Sequence, residues 1–282
     1  MMAFSLDLLA QCLEMSLLAL SIWLLIAQLG LVSLGHAAFY GLATYSLILL
    51  SPWVPSFWLA FALALLLCAL FALITGLLVL RSRGLFFLMA TLAFAQMLFV
   101  VAQDTGWVGS SDGIYASTSL PNTPWLFLAL AVIGFLSTWR LVHSPFGRVL
   151  CAVHQHEDRA TSLGYSVLRV QLTAYVFSAL LAGLAGLVHA CRFGFASPSL
   201  LSWQVSGMAL LAVLLGGRRH WWSPLLGAFL LVALQELLTR EDLWGSWAQH
   251  WMGALGLVMV GMALLYARRS SAGGRPPRGS PQ

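Results

Sequence analysis

The chain has no lysine, and only 8% of its 282 residues are charged. A soluble domain carries about 25% charged residues, so that class is excluded. With 60% hydrophobic residues and a mean hydropathy of +0.89, the chain reads as an integral membrane protein. All fourteen basic residues are arginines, against nine acids, for a net charge of +5. They gather at the ends of apolar runs, which argues against a nucleic-acid surface. The four cysteines (Cys12, Cys68, Cys151 and Cys191) show neither disulfide nor zinc spacing. No phosphate-cradling glycine-rich loop and no paired strand-end acid is present, so the chain has no nucleotide-hydrolysing site of its own. His143, His154, His156 and His189 lack metal-ligand spacing and a convergent carboxylate. No catalytic, cofactor-binding or metal residue is assigned, and an intramembrane enzyme is disfavoured. The first residues lack a basic region and include Asp7 and Glu14, so a first span is expected there rather than a cleaved signal.

What is present is a succession of apolar segments. They run from about Leu8 to Leu29, Ser33 to Leu50, Phe57 to Leu80, Leu85 to Ala102, Trp125 to Trp139, Val170 to Cys191, Trp203 to Leu215, Leu225 to Leu238 and Met252 to Ala267. The expected fold class is all-α, a polytopic helical membrane protein with about nine membrane segments. Segments two, seven and eight fall short of the ~20 residues a helix needs to cross. Segments two and seven lie beside Gly-rich motifs in opposite halves of the chain, so broken or re-entrant helices and a duplicated architecture are both open. The expected organisation is a transmembrane domain over 1–269 and a tail over 270–282 that is disordered by composition.

Arg81/Arg83, the interval Arg140–Arg169, Arg218/Arg219 and Arg268/Arg269 alternate with apolar segments so that nine crossings place all four groups on one side. The positive-inside rule makes that side cytoplasmic, with the N-terminus outside and the C-terminus inside. Arg192 and Arg240 fall on the far side.

Four stretches carry a resemblance: SLGHAAFYGLATY (Ser33–Tyr45), RSRGLFFLMATLAFAQM (Arg81–Met97), the run from Ser144 to Gly186, and LLGGRRHWWSPLLGA (Leu214–Ala228). In that order they resemble the permease subunits of bacterial branched-chain amino acid ABC importers, specifically the LivM-like subunit. The resemblance implies an importer of branched-chain or other hydrophobic amino acids in the bacterial inner membrane. Its implied partners are a second permease subunit (LivH-like), two ABC ATPase subunits that bind ATP and Mg, and a periplasmic substrate-binding protein. Within 140–169, the implied ATPase-coupling segment is Cys151–Gly164. The chain departs from the family pattern at His154, Gln155 and His156, whereas Glu157 matches. A related importer for urea or short amides, and an ion-coupled secondary transporter, are the alternatives. The second needs carboxylates at membrane depth, where only Glu14 and Glu236 qualify.

Read as one short amphipathic helix, Cys151–Gly164 places Val153, Ala160 and Leu163 on an apolar edge. His154, His156, Glu157 and Gly164 complete the candidate coupling set. Glu157 and Arg159 are two apart and do not face each other, so both acids, Glu157 and Asp158, are expected to be free for a partner. Gly35, His36, Gly41, Thr91, Phe94 and Gln96 are candidates for the pathway or for packing. For His36 the choice is between a helix-start hydrogen bond, snorkelling at the cytoplasmic interface, and a gating role. Asp112 and Gly113, in an outer polar loop, are candidates for docking the binding protein, against an ordinary solvated turn. His189 and Arg192 share a helical face near the outer end of segment six and are read as an interfacial cluster in preference to a vestibule lining.

Overall fold

In the computed structural model, residues 2–106, 109–217, 220–239, 253, 256–257 and 260–261 are described. Arg218, Arg219, Arg240, Arg268, Arg269, the Trp-bearing stretch at 244–251, the tail over 270–282 and most of the ninth expected span lie outside them. The helices are α1 (Met2–Leu29), α2 (His36–Leu50), α3 (Phe57–Val79), α4 (Leu85–Asp104), α5 (Pro124–His143), α6 (Pro145–Gln155), α7 (Glu157–Ser162), α8 (Val167–Phe193), α9 (Trp203–Gly216) and α10 (Ser223–Thr239). Two-residue strands β1 (Ile114–Tyr115) and β2 (Phe195–Ala196) pair antiparallel. The chain divides into two compact units, Met1–Leu230 and Leu231–Gln282.

Each of the first eight expected membrane segments is a helix with ends within about four residues of those read from hydropathy, except that α1 starts six residues earlier, at Met2. Five are long and apolar enough to cross a bilayer: Leu6–Leu29, α3, α4, α5 and α8. α2, α9 and α10 are shorter apolar helices. Among the described residues, therefore, helix length supports five full crossings, fewer than the sequence implied. The chain is an all-helical, multi-pass membrane protein.

α1, α2 and α8 form the centre of the first unit. In α1 and α8, 72% of the apolar window is buried, against 22–33% in α3, α4 and α5. The outer three keep wide exposed apolar faces, such as Leu66, Leu70 and Ile74 of α3. The α2–α8 contact is backbone against backbone. A Cβ on Gly186 would lie 2.1 Å from the Tyr40 carbonyl oxygen, so only glycine permits this approach. The Thr44 hydroxyl then reaches the Gly186 and Tyr40 carbonyl oxygens, each at 2.9 Å. Phe39 packs edge-on against Tyr175 and Phe71, with ring centroids 5.7 and 5.9 Å apart.

Two helices begin inside the fold. After α1 the chain runs without helical structure to His36, and Ser33 on the way is fully buried. After α8 it turns back through β2 and a 3₁₀ turn, Pro198–Leu201, in which Pro198 and Leu201 are buried. Non-helical backbone at such depth persists only where protein satisfies its polar groups. At ~1.5 Å per residue, neither the 15-residue α2 nor the 14-residue α9 spans a ~30 Å hydrocarbon core.

Candidate functional site

The first turn of α2 meets the first turn of α9. The Ala37 N–H donates to Ser206 Oγ at 2.7 Å, and Leu34 N–H to Thr91 Oγ1 of α4 at 3.2 Å. Ser33 Oγ accepts from Gly35 N–H at 3.2 Å. Side-chain hydroxyls thus take up donors that a helix start leaves unpaired. His36 is fully buried, and its Nε2 lies 2.7 Å from Ser178 Oγ near the middle of α8. Because Ser178 donates to the Ser21 carbonyl at 2.7 Å, its oxygen accepts from His36 Nε2–H. The tautomer follows from that network. Nδ1 is then a bare acceptor without a partner among the described residues. His36 does not snorkel to the surface; it ties α2 to α8 and, through Ser178, to α1.

Of the other pathway or packing candidates, Gly35 and Thr91 lie at this junction. Gly35 packs against Thr91, whose carbonyl oxygen would be 3.0 Å from a Cβ there. Gly41 packs against Leu201, at 2.4 Å by the same measure. Thr91 is buried. Phe94 and Gln96 lie further along α4, half-buried, and Gln96 Nε2 has no partner among the described residues.

The segment read as one coupling helix is two. Ser144 caps α6, its Oγ accepting from Gly147 N–H at 3.2 Å, with Pro145 at the first helical position. The helix breaks at His156 (φ −149°, ψ 85°), and α7 begins at Glu157. Gly164, at φ +87°, ends it. Its N–H donates to the Thr161 carbonyl at 2.9 Å, and the Tyr165 N–H to the Ala160 carbonyl at 3.1 Å. That pair of bonds is the Schellman stop, which needs the left-handed residue that glycine supplies.

The break redistributes the expected face. Val153 and Ala160 are buried, but Leu163 is 73% exposed, so the three do not form one apolar edge. Leu163 and Tyr165 are both exposed after α7. Glu157 is not free: Arg83 Nη2, from the α3–α4 turn, lies 2.9 Å from its Oε1. Asp158 is exposed. The His154 ring lies against Gly30, where a Cβ would come within 2.1 Å of it. His156 is exposed at the break.

On the opposite end, Glu14 accepts from the Tyr40 hydroxyl, pairs with His189 Nδ1 at 2.8 Å and meets Arg192 Nη1 at 3.2 Å. Arg192 also grips Asp7 with both Nε and Nη2, at 2.7 and 2.8 Å, and its guanidinium lies 4.5 Å from the Phe193 ring centre. The pair read as an interfacial cluster is therefore one half of a network linking α1, α2 and α8. Asp112 is exposed in a 3₁₀ turn. Gly113, at φ +75°, seats that turn on β2, where a Cβ would be 2.3 Å from the Ala196 carbonyl oxygen.

Sequence reading did not single out Ser21, Ser178 and Ser206, nor the Arg83–Glu157 pair. A serine in an apolar helix carries no signal of its partner. The signal for the outer network was there: a glutamate in an apolar run, with His189 and Arg192 one turn apart. Among the described residues no group of three or more histidines, cysteines or carboxylates could hold a metal ion.

The family profile described as "Branched-chain amino acid transport system / permease component" matches residues 4–266. The high-affinity branched-chain amino acid transport system permease protein LivM of Salmonella typhimurium (strain LT2) is 29% identical over 279 residues, covering 86% of this chain and 65% of that protein. LivM of Escherichia coli (strain K12) is 28% identical with the same coverage. The autoinducer 2 import system permease protein LsrC of Klebsiella pneumoniae is 31% identical over 163 residues, 55% of this chain and 44% of that protein. The chain thus spans 65% of the length of the LivM proteins it matches. No solved structure matches it.

Proposed function

The chain belongs to the permease-component family of branched-chain amino acid transport systems, and from that premise we propose that it is a membrane subunit of an ATP-driven importer of branched-chain or other hydrophobic amino acids. The match across 4–266 carries the reading. A second, LivH-like permease subunit completes the pathway, two ABC ATPase subunits hold ATP and Mg, and a periplasmic binding protein selects the substrate. The protein sits in the bacterial inner membrane with nine membrane segments, its N-terminus outside and its C-terminus cytoplasmic. α2 and α9 are its half-length segments, meeting where the Ala37 N–H donates to Ser206 Oγ, and Gly35, His36, Gly41, Thr91, Phe94 and Gln96 are its pathway or packing residues.

With no nucleotide site of its own, the subunit receives energy through a mechanical contact. α6 and α7 supply it. Buried Val153 and Ala160 fix the segment to the bundle, and the Arg83–Glu157 pair and the His154 ring on Gly30 set its attitude. Leu163, held out by the Gly164 stop, enters an apolar groove of the ATPase. Asp112, on the turn that Gly113 seats, faces the binding protein.

Proteoliposomes holding both permeases, the ATPases and the binding protein test this, with leucine uptake and ATP hydrolysis measured together. The intact system takes up leucine with ATP. Leu163→Asp lowers uptake and substrate-stimulated hydrolysis about tenfold or more, as removal of a central apolar anchor does, while the membrane fold survives. Normal coupling in that variant removes the role of Leu163. The absence of any ATP-dependent uptake removes the importer reading. The LsrC match favours one second reading, import of autoinducer 2, but it covers less of the chain. Uptake of autoinducer 2 in place of leucine would select it.

A further inference from the structure

A cavity of 540 Å³ opens between the α3–α4 turn, the C-terminal end of α1, the α6–α7 break and the start of α8. It lies on the face that carries Arg81, Arg83 and the α6–α7 segment, the side assigned to the cytoplasm. Its size is that of a small-molecule site, and its lining is mixed, with Ser82, His154 and Gln171 as neutral polar members. Leu29, Leu31 and Leu80 form an apolar wall, while Arg81, Arg83 and Glu157 bring charge to it. Arg83 is committed to Glu157 Oε1. Arg81 has no ion-pair partner among the described residues, and Glu157 Oε2 accepts no hydrogen bond there. Two arginines and one glutamate leave the cavity with one net positive charge.

We propose that this cavity binds a zwitterionic amino acid with an apolar side chain. The carboxylate lies on Arg81, the ammonium on Glu157 Oε2, and the side chain against Leu29, Leu31 and Leu80. A simple anion such as phosphate would use Arg81 alone and would gain nothing from the leucine wall. A zwitterion uses all three features and brings no net charge. The inference rests on the importer reading for the choice of ligand and for the side of the membrane. Its consequence is regulatory. The bound molecule bridges the α3–α4 turn and α7, the helix that carries Leu163, and so restrains the segment that must move with the ATPase. Product gathered on the inner side then slows hydrolysis.

The test uses the complete complex of both permeases and both ATPases in nanodiscs, without binding protein or nucleotide. It is titrated with labelled L-leucine and, separately, with inorganic phosphate. Leucine binds saturably. Arg81→Ala weakens that binding about tenfold or more, as loss of a charge-assisted hydrogen bond does, and Arg81→Lys restores part of it because the charge returns. Leucine binding that is absent, or unchanged in Arg81→Ala, overturns the proposal, as does phosphate binding without leucine binding. ATP-dependent leucine uptake by the same complex in proteoliposomes is scored in parallel. Uptake without Arg81-sensitive binding sinks this site alone. Arg81-sensitive binding without uptake sinks the importer reading alone.

Discussion

Glu14 and Arg192 illustrate how one residue's environment sets its worth. The Glu14 side chain is 12% exposed and Arg192 7%, whereas Asp7 is 59% exposed. Glu14 meets Tyr40, His189 and Arg192 in a setting with little water to replace any of them. Removing one partner of a buried ion pair costs about 3–5 kcal/mol, while an exposed pair is worth about 0–1 kcal/mol. Arg192→Met is therefore expected to lower the thermal stability of the detergent-purified protein strongly. Asp7→Asn lowers it little, and Glu14→Gln falls between, since glutamine keeps some of the hydrogen bonds. Thermal unfolding of the three variants checks the order. Equal losses for Asp7→Asn and Arg192→Met would mean that the outer contact, not the buried one, holds the helices together.

At the scale of elements, the central contact is set by a single absent atom. Gly186 lets α8 rest on the Tyr40 carbonyl of α2, and a methyl group there has nowhere to go because the obstacle is backbone. Overpacking of this kind costs about 1–3 kcal/mol and more where backbone must shift. Gly207 of α9 provides the control, for nothing lies within 4 Å of a Cβ built there. Gly186→Ala is expected to reduce the yield of monodisperse protein and its unfolding temperature. Gly207→Ala leaves both unchanged or slightly raised, since alanine is the better helix former by about 1 kcal/mol. Size-exclusion profiles and unfolding temperatures of the two variants decide it. The proposed coupling segment follows the same logic of stops and caps: Ser144 starts it, His156 interrupts it, and Gly164 ends it, leaving Leu163 exposed.

At the scale of the first unit, the long helices α1 and α8 are largely buried, whereas α3, α4 and α5 keep most of their apolar windows exposed. Half-length α2 and α9 meet at their first turns, where the Ala37 N–H donates to Ser206 Oγ. Orientation is testable without any transport assay. All four cysteines are free, so a background with each replaced by alanine or serine loses no disulfide and is expected to fold. In it, a cysteine replacing Arg159 is expected to react with a membrane-impermeant thiol reagent from the cytoplasmic side only, and one replacing Asp112 from the outside only. Both reacting from one side would break the proposed topology.

Hydropathy alone located the first eight segments, because each needs a run of apolar residues whatever it packs against. The arginine pattern alone proposed a sidedness, because cations resist transfer across the bilayer. The run SLGHAAFYGLATY and its companion motifs pointed to the family for the same chain-local reason: they can be read without knowing what touches them. What touches what was decided by the tertiary structure. Only the folded chain brings Ser206 to Ala37, Ser178 to His36 and Arg83 to Glu157, pairs far apart in sequence whose members carry no mark of each other. Only it splits the proposed coupling segment at His156 and leaves Leu163 exposed while Val153 and Ala160 are buried. Periodicity describes a helix that continues, and a break is fixed by the surfaces on which its two halves come to rest.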